Sequence, residues 1–516
     1  MSTSGTDVAK RPRAPIDMGA DEFRSAGHEL VDRIADWLDR LPDGTIMRDE
    51  SAADVRRALG AERTLPDAGA NPRVVLDEAT ELLFNHSLFN GHPRFFGYIT
   101  SSPAPIGALA DLLASAVNQN VGSWRLSPMA TEIEEQTIRW IAELIGFPVR
   151  LPATSLRPGK ADSTADDIGG LLLSGGNMAN FVCFLAARTA KAPAVRAGGL
   201  RTIPPLRVYA SSETHTWIQK AADLFGLGTD AVRWIDVDAQ QRMDVAALER
   251  QLAADRREGA LPFLVVGTAG TVGTGVVDPL PEIAAICRAY DVWFHVDGAY
   301  GALAARVPGA PESLRALAEA DSVAVDPHKW LYAPLEAGCA LVRRRGDLLR
   351  TFSYHPSYYH FDTDLTNYFD YGPQNSRGFR ALKVWLMLRQ VGSSGYMAMI
   401  AENIRLSQHL YSVVQQHPEF EALTQHLSIT TFRYVPRELQ SVLSTPEIEA
   451  YVNRLNTELL SRVERSGEAF LSNAMVDGHF ALRACIVNFR TSEADVEALL
   501  PLLSRLGADT HKSLTT

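Results

Sequence analysis

Six short apolar runs recur between residues 171 and 325, and their alternation with helical patterns constrains the fold more than any other feature of the chain. They are Leu171–Leu173, Leu206–Ala210, Val232–Ile235, Phe263–Val266, Val292–Val296 and Ser322–Val325. The first leads through a glycine turn into a helix reaching Thr189. The second precedes a helical pattern over Thr214–Phe225, the third one over Val245–Ala254, and the fourth one over Leu280–Tyr290. In the last of these, Leu280, Ile283, Ile286 and Cys287 fall on one face. Short apolar runs alternating with helices predict a mostly parallel sheet buried on both faces. Such sheets bind ligands at the carboxyl ends of their strands. The residues to inspect are therefore those just beyond each run.

The flanks differ from this middle. Phe23, His28, Leu30, Val31, Ile34, Trp37 and Leu38 recur at helical spacing and predict helix from Asp21 to about Leu59. An aromatic segment with turn residues at its start, Asn90–Tyr98, follows. After Arg380, the pattern Leu382, Val384, Trp385, Met387, Leu388 starts a long helix toward a smaller unit. That unit has strand patterns at Ile429–Phe432 and Ala484–Phe489 and a last helix over Glu493–Leu506. The expected organisation is a flexible tail over 1–20 and a helical segment over 21–103. A large cofactor-binding domain over 104–386 and a small α+β domain over 387–516 follow.

Composition removes several functions. With 516 residues, 46% hydrophobic and 22% charged, the chain reads as a soluble globular protein of two or three domains. A net charge of −11 argues against nucleic-acid binding and against an anionic membrane surface. Lys10, Arg11 and Arg13 have no apolar core after them, so no secretory signal is expected. The uncharged stretch Gly259–Val277 holds five glycines, three threonines and Pro262, and fits a buried strand and glycine-rich loop better than a membrane helix. Four widely spaced cysteines form no C-x-x-C pair, so no metal site or disulfide framework is expected. Reduced thiols and a cytoplasmic location follow.

Chemistry concentrates after the last two runs. Lys329 sits in Asp326-Pro327-His328-Lys329-Trp330, just past Ser322–Val325. A lysine beside a turn proline is usually a surface residue. At a strand end in a desolvated pocket, however, a neutral amine can form a Schiff base. Asp297 closes the run before it and supplies a carboxylate. Lysine on a carbonyl plus aspartate on a pyridinium nitrogen is the pattern of a pyridoxal phosphate enzyme. Ser174-Gly175-Gly176-Asn177 joins a run to a helix. It suits a phosphate at a helix start, or a plain tight turn with Asn177 as cap. His215 stands at a helix start, either as a part-exposed histidine or as a group stacked on a cofactor ring. Thr268 at its strand end is open to either a structural or a binding role.

The strings HPRFFGY, SPMATEIE, SGGNMANF, SSETHTW, GTAGTVGTG, HVDGAYG, VDPHKWL and RGFRALKVW occur in this order. Together they resemble the group II pyridoxal-phosphate-dependent amino acid decarboxylases, which include aromatic-L-amino-acid, histidine, tyrosine and glutamate decarboxylases. The resemblance spans roughly Asp21 to Phe489. It implies the α/β fold type I of pyridoxal-phosphate-dependent transferases, with a mostly parallel seven-stranded sheet flanked by helices. Lys329 would hold the cofactor as an internal aldimine, and Asp297 would pair with the ring nitrogen. His215 would cover one ring face and Ala299 the other. Gly176 and Asn177 would hold the phosphate with help from Ser101, with His328 beside it and Asp326 near it. Thr268 would lie near the ring edge. Tyr358, 29 residues after Lys329, falls on a loop whose tyrosine would protonate the substrate α-carbon after CO2 leaves, and Tyr359 is adjacent. Phenylalanine in its place accompanies aldehyde formation, so Tyr358 implies decarboxylation to an amine.

Departures touch the substrate pocket, expected from Tyr98, Ile99, Asn120, Gly122 and Trp124. Asp326 stands where animal aromatic decarboxylases usually carry asparagine. Gly122 stands where they carry an aromatic residue, and Asn90 replaces a tryptophan. The implied enzyme is a cytoplasmic homodimer with sites at the subunit interface, so Asn118–Trp124 and the Tyr358 loop would serve the neighbour's cofactor. Its substrate would be an L-amino acid, aromatic or otherwise bulky. An aldehyde synthase or carbon–carbon lyase of the same fold, and a non-catalytic scaffold, are the rival readings.

Overall fold

The computed structural model describes residues 14–149, 167–355, 365–443 and 445–516. Its main body is a seven-stranded sheet. The strands are β1 (Gly169–Leu173), β2 (Leu206–Ser211), β3 (Val232–Ile235), β4 (Leu261–Thr268), β5 (Trp293–Asp297), β6 (Ser322–Val325) and β7 (Gly338–Val342). Their order is β1-β7-β6-β5-β4-β2-β3, with the five from β6 to β3 mutually parallel. The six apolar runs became β1 to β6. β7 was not among them; the β6–β7 connection carries no helix and turns the chain back, so β7 runs antiparallel to both β6 and β1. β1, β5, β6 and β7 are buried along their whole length, as a sheet covered on both faces requires.

Helices Gly176–Lys191, Val245–Arg257 and Leu280–Ala289 follow β1, β3 and β4. Asn177 does not cap the first of these: Gly175 is its N-cap, at φ 121°, a conformation open to glycine. The helix after β2 is shorter than its sequence pattern, Trp217–Leu224, so His215 precedes it.

The N-terminal pattern resolves into two helices, Ala20–Arg40 and Ala52–Leu59. Pro42 and Gly44 interrupt it, and Ser51 restarts the chain with a reciprocal capping box to Asp54. A long helix, Ala381–Gln416, leaves the large body and bends at Gly392, where φ is 69°. Met387, Leu388 and Ile400 pack into the main core, whereas Leu406, Leu410 and Val414 nearer its C-terminal end pack into another. Fully burying such side chains contributes about 1.5–3 kcal/mol each, so one helix fastens both cores.

The second core lies under an antiparallel sheet ordered β10-β11-β9-β8. Its strands are β8 (Phe420–His426), β9 (Ile429–Tyr434), β10 (Ser472–Val476) and β11 (His479–Cys485). β8 and β10 carry too many polar residues to stand out in the sequence. The strand expected over Ala484–Phe489 lies earlier, and β11 ends at Cys485. The chain ends in helix Leu499–Thr515, after a short turn of helix over Glu493–Glu497. Among the described residues no helix is long and apolar enough to cross a membrane.

Candidate active site

The parallel strands bring their carboxyl ends together in register. Thr268 lies beside Asp297, and Asp297 beside Ala324, so the turn after β6 rises next to both. Asp297 is buried. Its Oδ2 accepts the indole N–H of Trp217 at 2.7 Å, and its Oδ1 accepts the main-chain N–H of Ala299 at 3.2 Å. Thr268 is held by its own N–H, which donates to Asp278 Oδ2 at 2.8 Å. Burial pushes the Asp278 carboxyl up to about 6, although Met243 and Thr268 amides donate to it. Thr268 Oγ1 is buried without a hydrogen-bond partner among the described residues.

Lys329 sits in a tight turn. Its N–H donates to the Asp326 carbonyl at 2.9 Å, and Tyr332 N–H donates to the Lys329 carbonyl at 3.2 Å. Trp330 Nε1 and the Tyr332 hydroxyl both donate to Asn403 Oδ1, at 3.0 and 2.8 Å, which ties the turn to the long helix. Lys329 Nζ lies 3.3 Å from Asp326 Oδ2. Asp326 is fully enclosed, and its Oδ1 has no partner among the described residues. Burial pushes its carboxyl up, Asp297 pushes the same way, and the Lys329 and His328 charges offset part of this. His328 Nδ1 accepts the Ala337 N–H at 3.2 Å, and burial pushes its imidazole down. Ser101 Oγ donates to the His328 carbonyl at 2.8 Å.

The start of helix Gly176–Lys191 faces this turn. A Cβ at 176 would lie 2.6 Å from Asp326 Oδ2, and one at 175 would lie 3.2 Å from His328 Cε1. Glycine at these positions therefore lets the helix start, which also includes Asn177 and carries free amides, approach the Asp326 and His328 side chains closely. His215 is exposed, and its Nδ1 accepts the Trp217 N–H at 3.3 Å, which places the proton of the neutral ring on Nε2. Partial desolvation pushes the His215 imidazole down, with Asp297 opposing and Lys329 reinforcing the shift.

Other expected residues spread more widely. Tyr98 is exposed and adopts φ 53°, whereas Ile99 is packed in the main core. Asn120 Oδ1 accepts from the amides of Gly122 and Arg377, at 3.1 and 3.0 Å. Trp124 Nε1 donates to Glu132 at 2.9 Å. None of the hydrogen bonds described for Asn120, Gly122 and Trp124 reaches Lys329, Asp297 or His215. Gly122 opens no extra space, because a Cβ there would lie 2.2 Å from the Asn375 carbonyl oxygen. Tyr358 and Tyr359 lie outside the described residues.

Two residues were not singled out from sequence. Trp217 lies within SSETHTW, but its partner is Asp297, far along the chain. Arg483, on β11, is buried. Its Nη1 donates to the Tyr98 carbonyl and to Ser472 Oγ, both at 3.0 Å, and its Nε donates to the Gly273 carbonyl at 3.1 Å. Its Nη2 has no partner among the described residues. Burial pushes the Cys485 thiol up, and the charges of Arg483 and Lys329 each oppose that shift.

The pyridoxal-dependent decarboxylase conserved domain matches residues 57–435. The chain belongs to this family. It is 31% identical to the aromatic-L-amino-acid decarboxylase of Bacillus atrophaeus, over 96% of each chain. Human cysteine sulfinic acid decarboxylase is 28% identical, over 98% of each chain. The Oryza sativa TDC solved with PLP and tryptamine superimposes with a TM-score of 0.86 at 26% identity, covering 96% of this chain and 99% of that one. The protein is thus a pyridoxal-phosphate-dependent amino acid decarboxylase of fold type I. The residues present fit that cofactor. The free amides of a helix start lie against the turn that carries the lysine, and Thr268 Oγ1 and Asp326 Oδ1 are buried polar atoms without partners among the described residues.

Proposed function

We propose that this decarboxylase acts on an L-amino acid with an aromatic or other bulky side chain and releases the amine and CO2. Lys329 would hold the cofactor through its side-chain amine, with the domain over 104–386 carrying the site. One observation carries the assignment: Lys329 rises from the turn after β6 beside the buried, doubly hydrogen-bonded Asp297 at the end of β5. When bound, pyridoxal phosphate accepts the electrons released with CO2. Asp297 holds the proton on its ring nitrogen, and a hydrogen bond to a charged group of this kind contributes about 1.5–3 kcal/mol. His215 and Ala299 confine the ring between them. Gly176, Asn177 and Ser101 hold the phosphate, with His328 and Asp326 beside it. Thr268 offers its free hydroxyl at the ring edge. Arg483 offers its free N–H to the substrate α-carboxylate. Tyr358 delivers a proton to the α-carbon. The aromatic preference is supported by the 31% identity to the bacterial aromatic decarboxylase.

The same reading includes a homodimer. Helix Pro105–Val117 exposes Leu109, Leu112, Leu113 and Val117, an apolar row at helical spacing, with Leu126 and Met129 also exposed further along the chain. A second copy on this face would meet residues 120–124, which follow that helix directly. A cytoplasmic location fits the four free, buried cysteines.

The test is borohydride reduction of the pyridoxal phosphate-loaded protein, followed by peptide mapping and a CO2-release screen over the common L-amino acids. The label is expected on Lys329 and the product is expected to be an amine. Label on another lysine ends the assignment; aldehyde plus ammonia would make the protein an aldehyde synthase.

A further inference from the structure

We propose that Trp217 is a positioning residue that holds two groups of the cofactor site at once, Asp297 through its indole and His215 through its main chain. This rests on the reading above that Asp297 serves the cofactor ring nitrogen. A buried indole needs an acceptor for its N–H, but any strand carbonyl would satisfy it. Here the acceptor is Asp297 Oδ2 at 2.7 Å, while Ala299 N–H takes Oδ1 at 3.2 Å. The donors come from different elements, the start of helix Trp217–Leu224 and the turn after β5, and together they set the plane of the carboxylate. A carboxylate has about four acceptor positions, so room remains for a ring N–H. The main-chain N–H of Trp217 meanwhile donates to His215 Nδ1 at 3.3 Å and directs Nε2 outward.

The indole itself is wedged. Trp217 has no exposed surface, and its ring meets His295 edge-on at 5.8 Å. His295 is locked between Asn180 Oδ1 at 2.7 Å and Ser322 Oγ at 2.8 Å, and Trp293 Nε1 also donates to Ser322. Burial holds His295 neutral, so it adds no competing charge near the indole N–H. The lever on Asp297 therefore has a rigid backing from β5, β6 and helix Gly176–Lys191.

Trp217→Phe separates the two roles, since it removes the indole N–H and keeps the main-chain bond to His215. The dissociation constant for pyridoxal 5′-phosphate should rise about tenfold, which corresponds to about 1.4 kcal/mol. The visible absorption band of the loaded protein should change its pH dependence, and kcat should fall with KM within threefold. In an Asp297→Asn background the same substitution should change cofactor affinity less than threefold, because the two act as one unit. Wild-type affinity and an unchanged band in Trp217→Phe, or effects that multiply in the double variant, would overturn the proposal. A second measurement needs no change at 217. With 15N-indole labelling, one of the eight tryptophan N–H resonances should move in Asp297→Asn and also when pyridoxal 5′-phosphate is added to the wild type. If no indole signal responds to Asp297→Asn, the bond does not exist. A borohydride label away from Lys329 would instead refute the assignment of the site, which keeps the two failures distinguishable.

Discussion

Replacing Asp326 by asparagine tests the electrostatics of the cofactor cradle. The carboxylate is enclosed, with Lys329 Nζ at 3.3 Å, His328 Nε2 at 3.7 Å and one oxygen without a partner among the described residues. Full charges at that separation attract by roughly 5 kcal/mol at an effective dielectric of 20. Desolvating a buried ion costs several kcal/mol, so the two effects nearly cancel. The net change in cofactor-free stability at neutral pH should therefore be small, about 1–2 kcal/mol. Its pH dependence carries the sign. Burial raises the folded-state carboxyl above its reference value of 3.8, so the folded protein binds the proton more tightly than the unfolded chain does. The resulting stabilisation is complete below 3.8 and is lost as pH rises through the folded-state value. Asparagine does not titrate. The melting temperature of Asp326→Asn minus that of the wild type should thus increase as pH is raised from about 4 through the carboxyl transition. Cofactor titration adds a second readout. A phosphate dianion beside Gly176 meets a carboxylate in the wild type and an amide in the variant, so the variant should bind pyridoxal phosphate at least about fivefold tighter at pH 8, with the gap closing toward acid. A melting difference independent of pH, or weaker cofactor binding at every pH, would refute the reasoning.

Asp297→Asn keeps the shape of the carboxylate but turns an NH2 toward either the Trp217 indole or the Ala299 amide, both of them donors. We expect at least a hundredfold loss of kcat/KM, about 2.7 kcal/mol, and a loss below threefold would make Asp297 merely structural. Tyr358→Phe should still release CO2 but shift the product from amine toward aldehyde and ammonia; amine alone at the parent rate would pass the proton-donor role to Tyr359 or His215. Arg483→Lys keeps the charge and loses the guanidinium fork, so KM should rise about tenfold with kcat within threefold, measured at saturating cofactor. Leu113→Asp on the exposed face of helix Pro105–Val117 should weaken the dimer about a hundredfold or more by analytical ultracentrifugation, and a parent-like association constant would move the interface elsewhere.

Much of the candidate site could be read from the sequence because its residues sit at the ends of periodic apolar runs. Lys329, Asp297 and Thr268 each stand at or just beyond such a run, and parallel pairing places them on neighbouring strand ends. β7 escaped notice because its five residues follow a turn rather than a helix and run against the pattern. β8 and β10 escaped because each is only partly buried and carries the polar residues of an exposed sheet face. The helix pattern over Thr214–Phe225 overran its start, since the Trp217 amide turns back to His215 Nδ1 before the first helical turn forms.

Three residues could not be understood from the sequence for one physical reason, because their surroundings depend on partners distant in sequence. Gly122, as a letter, reads as a missing aromatic ring and an altered pocket. In the fold, the Asn375 carbonyl already stands where its side chain would go, so glycine there makes room for backbone and not for substrate. Arg483 looks like one more strand residue until its Nε and Nη1 are seen donating to Gly273, Tyr98 and Ser472, with Nη2 left without a partner among the described residues. Burying a guanidinium on neutral oxygens alone is costly, and an incoming carboxylate offsets that cost as neither Gly273 nor Tyr98 can. Trp217 carries the same lesson at closer range. Its indole N–H is directed at Asp297 by His295, which is itself held by Asn180 and Ser322, so four separate segments determine one hydrogen bond. Local pattern locates the candidate groups along the chain, whereas the orientation of those groups is set by such long-range contacts.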